Sequence, residues 1–322
     1  MITNFSLMQL EYLVAVDTWR HFALAADKCF ITQPTLSMQI QKIERDLGVL
    51  IFDRSKQPVI PTEAGVVIIE QAKLVLREAG KIPQLVADLK GKIAGDIRLG
   101  IIPTIAPYLM PLFLNKFLKK YPDIKLIIHE LITEEIILRL KKGQLDAGIL
   151  STPLDDKSIH EEPLFYEEFV VYMSKGDKSF NKKYLLPKDI DISRLWLLEE
   201  GHCFRSQIIN LCELRKASGE EKRFDYETGS IETLKKMVEL NHGITILPEL
   251  SIADLSAAQR KMVRNFKEPA PVREVSIVTH RNFIKMKIIA ALKAEVLEAI
   301  PSEIIKRNKE NKKGQITTIR EN

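Results

Sequence analysis

Residues 25–48, AADKCFITQPTLSMQIQKIERDLG, decide the fold of the N-terminal region. The small residues at the start of this stretch allow another helix to pack closely, and residues 29–31 make a turn. Thr32 can cap the helix that follows, and Pro34 falls in its first turn, where a missing N–H costs nothing. Gly48 ends that helix. The stretch predicts two helices joined by a tight turn, and the second helix buries an apolar stripe of Leu36, Ile40, Ile43 and Leu47.

The outward face of the second helix carries amides and hydroxyls with few acids, which suits base edges and phosphates in a DNA major groove. Arg54, in the tip of the apolar hairpin that follows, would reach the neighbouring DNA backbone or minor groove. A plain solvated helix in a three-helix bundle is the alternative, since residues 1–62 carry no net charge. The candidate DNA-binding residues are Thr32, Gln33, Pro34, Thr35, Ser37, Gln41 and Arg54.

A long helical stretch begins after Thr62, which is placed to cap it. Its apolar residues are spaced alternately by four and by three, which gives a heptad seam about three heptads long and predicts packing against a partner helix. A surface helix that lies on its own domain is the alternative. Pro83 should kink the helix. The seam consists of Ile68, Ala72, Val75, Ala79, Ile82, Val86 and Leu89.

From Asp96 onward short apolar strands alternate with helical stretches, which is typical of parallel sheets flanked by helices, the α/β class. About two hundred residues of this pattern predict two such units with a ligand crevice between them. The predicted strands are 97–102, 125–129, 147–150, 169–173, 195–198, 244–247 and 275–279.

The composition excludes several classes of protein. Of 322 residues 45% are hydrophobic and 28% are charged, which excludes collagen-like, disordered and disulfide-scaffold chains. The longest uncharged run, between Arg98 and Lys116, contains three prolines, so no membrane helix is predicted. The first twenty residues lack a basic segment ahead of an apolar core, so we expect a reducing cytoplasm. The net charge of +5 is concentrated in the tail from Lys306 onward, so bulk charge does not argue for nucleic acid.

Cys203 and Cys212 are the candidate reactive residues of the second half. The segment between them lacks Gly and Pro, and nine helical residues span about 13.5 Å. A disulfide needs Cα atoms about 4.4–6.8 Å apart, so oxidation would require the segment to unwind. His202 and Arg205 favour a thiolate at Cys203, whereas Cys212 has aliphatic neighbours. Two buried structural cysteines are the alternative, and the spacing fits no common zinc pattern, so no metal site is predicted.

The N-terminal residues resemble the winged helix-turn-helix of LysR-type transcriptional regulators. Later elements at 140–149 and 243–248 are similar to that family's effector domain, so the resemblance covers about residues 6–300. It implies an α/β protein with an N-terminal all-α winged helix-turn-helix and two Rossmann-like subdomains joined to it by a long linker helix, assembled as a dimer or tetramer. The N-terminal signature is Ala25-Ala26-Asp27, Thr32 to Ser37, Ile40, Ile43-Glu44, Leu47-Gly48, Ile51 to Arg54 and Thr62 to Gly65.

The resemblance also predicts where the domains begin and end. It implies a DNA-binding domain at 1–62, a dimerising linker helix at 63–92 and an effector region at 93–305, with a second subdomain at about 171–271. A basic tail at 306–322 is expected to be disordered.

Residues 199–207 together with Cys212 resemble the redox segment of the hydrogen-peroxide-sensing branch of this family. The resemblance implies that Cys203 attacks peroxide and that Cys212 resolves the intermediate as a disulfide, without a cofactor. It leaves Cys29 a structural role. The implied peroxide pocket consists of Thr104, Thr133, His202 and Arg281.

The sequence therefore predicts a regulator that binds double-stranded DNA and senses hydrogen peroxide, and that is not an enzyme. Two alternatives stay open. One is a LysR-type regulator that binds a small metabolite in the crevice, with incidental cysteines. The other is a cysteine-dependent enzyme such as a thiol peroxidase, although no second acid/base pair, phosphate loop or cofactor fingerprint is present.

Overall fold

The computed structural model of the chain describes residues 5–89, 93–191, 194–198, 207–208, 229–281, 283 and 285–305. Its internal contacts divide the chain into an N-terminal unit, residues 1–91, and a C-terminal unit, residues 92–322. No helix in the described part of the chain is long and apolar enough to cross a membrane.

The N-terminal unit is built from helices with well-defined ends. Ser6 caps α1 in a reciprocal box with Gln9, and Thr32 caps α3 by accepting a hydrogen bond from the Thr35 backbone N–H. Gly48 ends α3 in the left-handed region at φ 71°, where a glycine pays no steric penalty. The elements are α1 (Leu7–Trp19), α2 (Phe22–Lys28), α3 (Gln33–Leu47), β1 (Phe52–Asp53), β2 (Ile60–Pro61) and α4 (Glu63–Leu89).

The beginning of α4 packs tightly on the antiparallel ribbon of β1 and β2 and on α1. A Cβ atom at Gly65 would lie only 2.0 Å from the Ile51 carbonyl oxygen, so only glycine allows this approach. Ala72 of α4 is buried in the same core as the apolar side chains of α1 and α3. That core contains Leu10, Leu13, Val16, Ala25, Ala26, Leu36, Ile40, Ile43, Ile51, Phe52 and Ile69.

This packing corrects the first half of the predicted heptad seam. Ala72 is buried in the unit's own core and Val75 packs against that core, so these positions already have a partner within the chain. The side chains of Ile82 and Val86 are 63% and 45% exposed. The helix continues through Pro83. Only the second half of the seam therefore remains a prediction of contact with another chain.

The C-terminal unit contains one long sheet in the order β4-β3-β5-β10-β6-β9-β7, and β8 pairs with β6. Its strands are β3 (Gly95–Ile101), β4 (Ile124–Glu130), β5 (Ala147–Thr152), β6 (Ile159–Met173), β7 (Tyr184–Leu185), β8 (Ile244–Pro248), β9 (Val263–Phe266) and β10 (Val272–His280). Its helices are α5 (Ala106–Lys120), α6 (Thr133–Lys141), α7 (Ile231–Asn241), α8 (Ala257–Arg260) and α9 (Met286–Ala299).

The sheet is mixed, which corrects the expectation of parallel sheets. β3 pairs in parallel with β4 and β5, but β10 pairs antiparallel with β5 and β6, and β6 pairs antiparallel with β8 and β9. The pattern of alternating strands and helices could not reveal that β10 returns to the middle of the sheet. The predicted strand 195–198 is also wrong, because Leu195 alone forms a bridge, to Ile244.

β6 connects two hydrophobic cores. Leu164 and Phe165, in its first part, are buried in a core with β3, β4, β5, α5, α6 and α9. Residues 169–173, in its last part, are buried in a second core with β8 and α7. The C-terminal unit therefore comprises two α/β subdomains that share the strands crossing between them. Side chains from both subdomains can contribute to one site.

Candidate functional site

All the predicted DNA-binding residues except Arg54 lie on α3 or at its N-cap, Thr32. Gln33, Pro34 and Gln41 are exposed, and the Gln side chains remain available to a ligand. Thr32 is also exposed, but its hydroxyl accepts the Thr35 backbone N–H and so caps the helix. The same hydroxyl lies 2.8 Å from the Thr35 hydroxyl, so both hydroxyls are hydrogen-bonded at the N-terminus of α3. The face is polar and free of acidic side chains along its first two turns, which suits DNA.

The Arg54 side chain lies against α3 rather than extending into solvent, although the residue is exposed. Its guanidinium donates to the Ser37 hydroxyl at 2.9 Å and to Glu44 Oε2 at 3.0 Å, and it lies 4.9 Å from the centre of the Phe22 ring. Its side chain is 31% exposed. These contacts give Arg54 a structural role in the unit that the sequence did not reveal, and they also occupy the Ser37 hydroxyl.

Glu44 is the residue that sequence reasoning missed in this region. Its side chain is 5% exposed, and Oε1 accepts hydrogen bonds from the backbone N–H groups of Ile51 and Phe52. The carboxylate therefore fixes the hairpin to α3, and Arg54 neutralises it. The sequence feature that could have indicated this role is the position of Glu44, an acidic residue directly after Ile43 of the buried stripe.

The second candidate site lies in the C-terminal unit, at the edge where β3, β4 and β5 end. Thr104 follows β3 and Thr133 begins α6 after β4, and both are buried. Because β3 and β4 are parallel, their carboxyl ends share one edge of the sheet. The structure thus places these two predicted pocket residues at the same edge. Ser151, at the end of β5, joins them, and its buried hydroxyl has no hydrogen-bond partner within the described residues.

Arg273 is the buried arginine of this site. Nη1 donates to the Thr104 hydroxyl at 2.9 Å, Nη2 donates to the Thr104 carbonyl at 3.1 Å, and Nε donates to Glu167 Oε2 at 2.8 Å. Glu167 is fully buried and also accepts the Leu250 N–H at 2.7 Å. Burial raises the pKa of the Glu167 carboxyl, and Arg273 opposes that rise. The guanidinium is therefore fixed against Thr104 by a buried carboxylate.

This geometry corrects the assignment of Arg281 to the pocket. Arg281 is exposed and follows the end of β10, and its backbone N–H donates to the Ser158 carbonyl at 3.0 Å. It lies eight residues beyond Arg273 along the strand, which corresponds to about 26 Å. Arg273, at the beginning of β10, is the arginine that contacts Thr104. Around Arg281 only the arginine itself matched the family pattern, and the register of β10 brings Arg273 to the sheet edge.

Most of the predicted redox segment, including His202, Cys203 and Cys212, lies outside the described residues. Gln207, four residues after Cys203, is described and buried, and its Oε1 has no hydrogen-bond partner among the described residues. Cys29 is half-buried, and burial together with Glu11 raises the pKa of its thiol. This favours the protonated form and agrees with a structural rather than a reactive role for Cys29.

The described residues contain no group of three His, Cys, Asp or Glu side chains that could hold a metal ion.

Comparison with known proteins identifies both units. Residues 7–66 match the family described as bacterial regulatory helix-turn-helix protein, lysR family, and residues 90–300 match the LysR substrate binding domain.

Three proteins illustrate the similarity. A hydrogen peroxide-inducible genes activator of Haemophilus influenzae is 32% identical over 85% of this chain and 90% of its own length. The HTH-type transcriptional regulator EstR of Acinetobacter baylyi is 35% identical over 86% of this chain and 91% of its own length. The solved structure of a full-length OxyR variant from Pseudomonas aeruginosa has a TM-score of 0.73 at 33% identity, covering 92% of this chain and 98% of that one.

Proposed function

We infer the function from the family: the chain belongs to the LysR family of DNA-binding transcriptional regulators, and we propose that it senses hydrogen peroxide through a reversible Cys203–Cys212 disulfide. Regulators of this family are DNA-binding proteins and not enzymes. The name of the Haemophilus relative supports peroxide as the signal. The cysteine spacing resembles the redox segment of the peroxide-sensing branch, which supports the disulfide.

The observation that carries the proposal is the buried polar group at the edge of β3 and β5. The Thr104 hydroxyl and the Arg273 guanidinium are fixed in contact, and the buried Ser151 hydroxyl lacks a protein partner within the described part. Hydrogen-bonding groups of this kind suit a small polar oxidant better than an extended apolar ligand. We propose that Thr104, Thr133, Arg273 and His202 shape the pocket around peroxide.

The proposed reaction moves two electrons from the thiols to peroxide. The Cys203 thiolate attacks one oxygen of hydrogen peroxide, the O–O bond breaks, and the leaving hydroxide takes a proton to become water. The product is a sulfenic acid on Cys203. The Cys212 thiol then attacks this sulfur, an S–S bond forms, and a second water leaves. Arg273 and Thr104 donate hydrogen bonds that would stabilise the charge developing on the departing oxygen.

Disulfide formation would change how the protein engages DNA. We propose that the chain acts as a homodimer or homotetramer, so that a rearranged effector region alters the spacing of two copies of α3 on double-stranded DNA. The switch resets when a dithiol reductant reopens the bond, which requires a reducing compartment such as the cytoplasm.

Two single substitutions test this proposal. Cys203→Ser removes the attacking thiol, so peroxide should produce neither a disulfide nor a change in the DNA footprint. Cys212→Ser keeps the attacking thiol, so oxidation should stop at a sulfenic acid that a dimedone-type probe labels. Equal labelling of both variants would contradict the division of roles between the two cysteines.

A regulator that binds a small metabolite in the crevice is the second candidate. Tyr108 of α5 donates to Glu232 of α7 at 2.7 Å, which links the two subdomains, and a ligand that separates this pair would change their relative position. The similarity to EstR, whose name does not refer to peroxide, also favours it. This candidate requires that Cys203→Ser respond to its signal as the wild type does.

A further inference from the structure

Lys235 of α7 is a buried cation whose ammonium group connects two segments of the C-terminal unit. Its side chain is 5% exposed. Nζ donates to the Ser251 carbonyl at 2.7 Å and to Glu232 Oε1 at 2.7 Å. A charge withdrawn from water is costly unless hydrogen bonds and an opposite charge compensate it, and here one of the partners is a backbone carbonyl. The ammonium therefore fixes the turn that contains Ser251 to α7.

That turn, the short helix Glu249–Ile252, is also held from its other side. The Leu250 N–H donates to Glu167 Oε1 at 2.7 Å. Leu250 is buried in the core of the first subdomain, although β8, which directly precedes the turn, belongs to the core of the second. Because Leu250 and Ser251 are adjacent, the N–H bound to Glu167 and the carbonyl bound to Lys235 belong to one turn and move together.

The Glu167 carboxylate joins the Glu249–Ile252 turn to Arg273. Oε1 accepts from the turn, and Oε2 accepts from Arg273 Nε at 2.8 Å. Both side chains are buried, so water does not compete for these oxygens. A carboxylate is a rigid planar group, so a rotation that alters the contact with the turn also alters the contact with Arg273. Arg273 Nη1 in turn donates to the Thr104 hydroxyl at 2.9 Å.

Tyr108 closes these contacts into a ring. Its hydroxyl donates to Glu232 Oε1, the oxygen that also accepts from Lys235, and the Lys235 ammonium lies 5.2 Å from the centre of its ring. Burial alone would raise the pKa of Glu232, but hydrogen bonds from Lys235 and Tyr108 hold that pKa below its ordinary value. Thr104 lies just before α5 and Tyr108 lies in its first turn. The contacts that leave Thr104 thus return, through Lys235, to the beginning of α5.

We propose that Lys235 is a positioning residue for the reaction of Cys203 with peroxide. It holds the Glu249–Ile252 turn, the turn orients Glu167, and Glu167 sets the Arg273 guanidinium against Thr104. A donor stabilises a departing oxygen only when it is held in place, and a displacement of about 1 Å can slow a reaction by up to about a hundredfold. The inference rests on the proposed function and adds a residue of the second subdomain to the site.

A selective loss of the peroxide reaction tests this role in the full-length protein carrying Cys212→Ser. Lys235→Met keeps an apolar stem but removes the ammonium, so sulfenic acid formation at Cys203, followed with a dimedone-type probe, should become about tenfold slower. Alkylation of Cys203 by iodoacetamide needs the thiolate but no donor to a departing oxygen, so its rate and pH profile should change by less than about twofold. Lys235→Arg, which keeps the charge and N–H donors, should restore most of the peroxide rate.

Lys236→Met is the matched control, because it removes the same group from the next position of α7, where the side chain is 67% exposed and pairs with Glu239. It should leave both rates unchanged. Equal slowing of the peroxide and iodoacetamide reactions in Lys235→Met would make Lys235 a structural residue and overturn the proposal, as would an unchanged peroxide rate. Circular dichroism melts establish that each variant is folded. Lys235→Gln, whose amide nitrogen is one bond closer to the backbone, replaces Lys235→Met if that variant does not fold.

Two further measurements test the route from Lys235 to the pocket. In a Thr104→Val background, Lys235→Met should slow the peroxide reaction by less than about twofold more, since both changes disturb the same donors, and a full second slowing would overturn the route. Solvent exchange of the Arg273 Nε–H, followed by NMR and assigned by its loss in Arg273→Lys, needs no peroxide. It should be several-fold faster in Lys235→Met than in Lys236→Met, and equal exchange would overturn the proposal. A wild-type Cys203 that does not react with peroxide would instead refute the proposed function.

Discussion

Replacing Arg54 with alanine separates a structural role from a DNA contact. In the structure, Arg54 Nη2 lies 3.0 Å from Glu44 Oε2, and the Glu44 side chain is 5% exposed. Arg54→Ala would leave this carboxylate with the Ile51 and Phe52 N–H groups but without its positive partner. It would also remove the contact between the guanidinium and the Phe22 ring. We therefore expect the N-terminal unit to be destabilised.

The expected loss is about 2 kcal/mol of unfolding free energy. A hydrogen bond to a charged group contributes about 1.5–3 kcal/mol, and the lower end applies because Arg54 is partly exposed and water can reach the vacated side. The cation–π contact adds about 0.5 kcal/mol. Glu44→Gln keeps an acceptor for the hairpin but removes the charge, so Arg54→Ala should cost less in that background.

Urea unfolding followed by Trp19 emission measures this loss. The chain has two tryptophans, so a Trp196→Phe background assigns the signal to the N-terminal unit. The DNA-binding salt slope is measured on the same proteins. The structural role predicts reduced stability with little change in slope. Unchanged stability together with a slope smaller by about one would refute it and would make Arg54 a phosphate contact, as its position in the hairpin alone suggests.

Asp146, the second half of α4 and Thr104 can each be tested by substitution. Burial alone would raise the pKa of Asp146, but hydrogen bonds from Arg98 and the charge of Lys285 hold that pKa below its ordinary value. The ionised carboxylate therefore stabilises the fold above about pH 4, and this contribution is lost as the pH falls. Asp146→Asn should therefore lower the unfolding free energy by about 2 kcal/mol near neutral pH. Urea titrations at decreasing pH should show the difference in unfolding free energy between wild type and variant becoming smaller. A difference that does not change with pH would contradict this role of Asp146. Placing Asp at both Ile82 and Val86 should dissociate the proposed dimer in sedimentation without lowering the stability of the N-terminal unit, whereas Val75→Asp should lower that stability. An intact dimer in the first variant would mean that the second half of α4 contacts no partner helix. Thr104→Val removes a hydroxyl held by Arg273, so stopped-flow oxidation of the cysteines by peroxide should slow by about tenfold or more, and an unchanged rate would place the pocket elsewhere.

The helices of the N-terminal unit could be predicted because local rules determine them. Thr32, Pro34 and Gly48 mark the ends of α3 through capping and backbone conformation, and the structure has them in those roles. The apolar stripe likewise faces the core. The role of Arg54 could not be predicted, because its contact with Glu44 depends on how the hairpin folds back onto α3.

Strand pairing across the C-terminal unit explains the errors in the second half. The first part of β6 contains Glu161, Glu162 and Pro163, so it lacks the apolar run by which strands were recognised. Its pairing with β10 depends on residues more than one hundred positions apart, and that register brings Arg273, not Arg281, to Thr104. The family resemblance allowed Thr104 and Thr133 to be predicted as pocket residues. Nothing in the sequence around Glu167 or Ser151 indicated that these residues lie near the same site.

We propose that peroxide switches this regulator by closing the Cys203–Cys212 disulfide. Peptide mass spectrometry of the full-length protein on DNA, after one equivalent of hydrogen peroxide and alkylation of free thiols, tests it most directly. We expect a linked peptide pair that contains Cys203 and Cys212, about 2 Da lighter than the sum of its thiol forms, with Cys29 alkylated. Alkylation of both Cys203 and Cys212 after peroxide would contradict the disulfide mechanism.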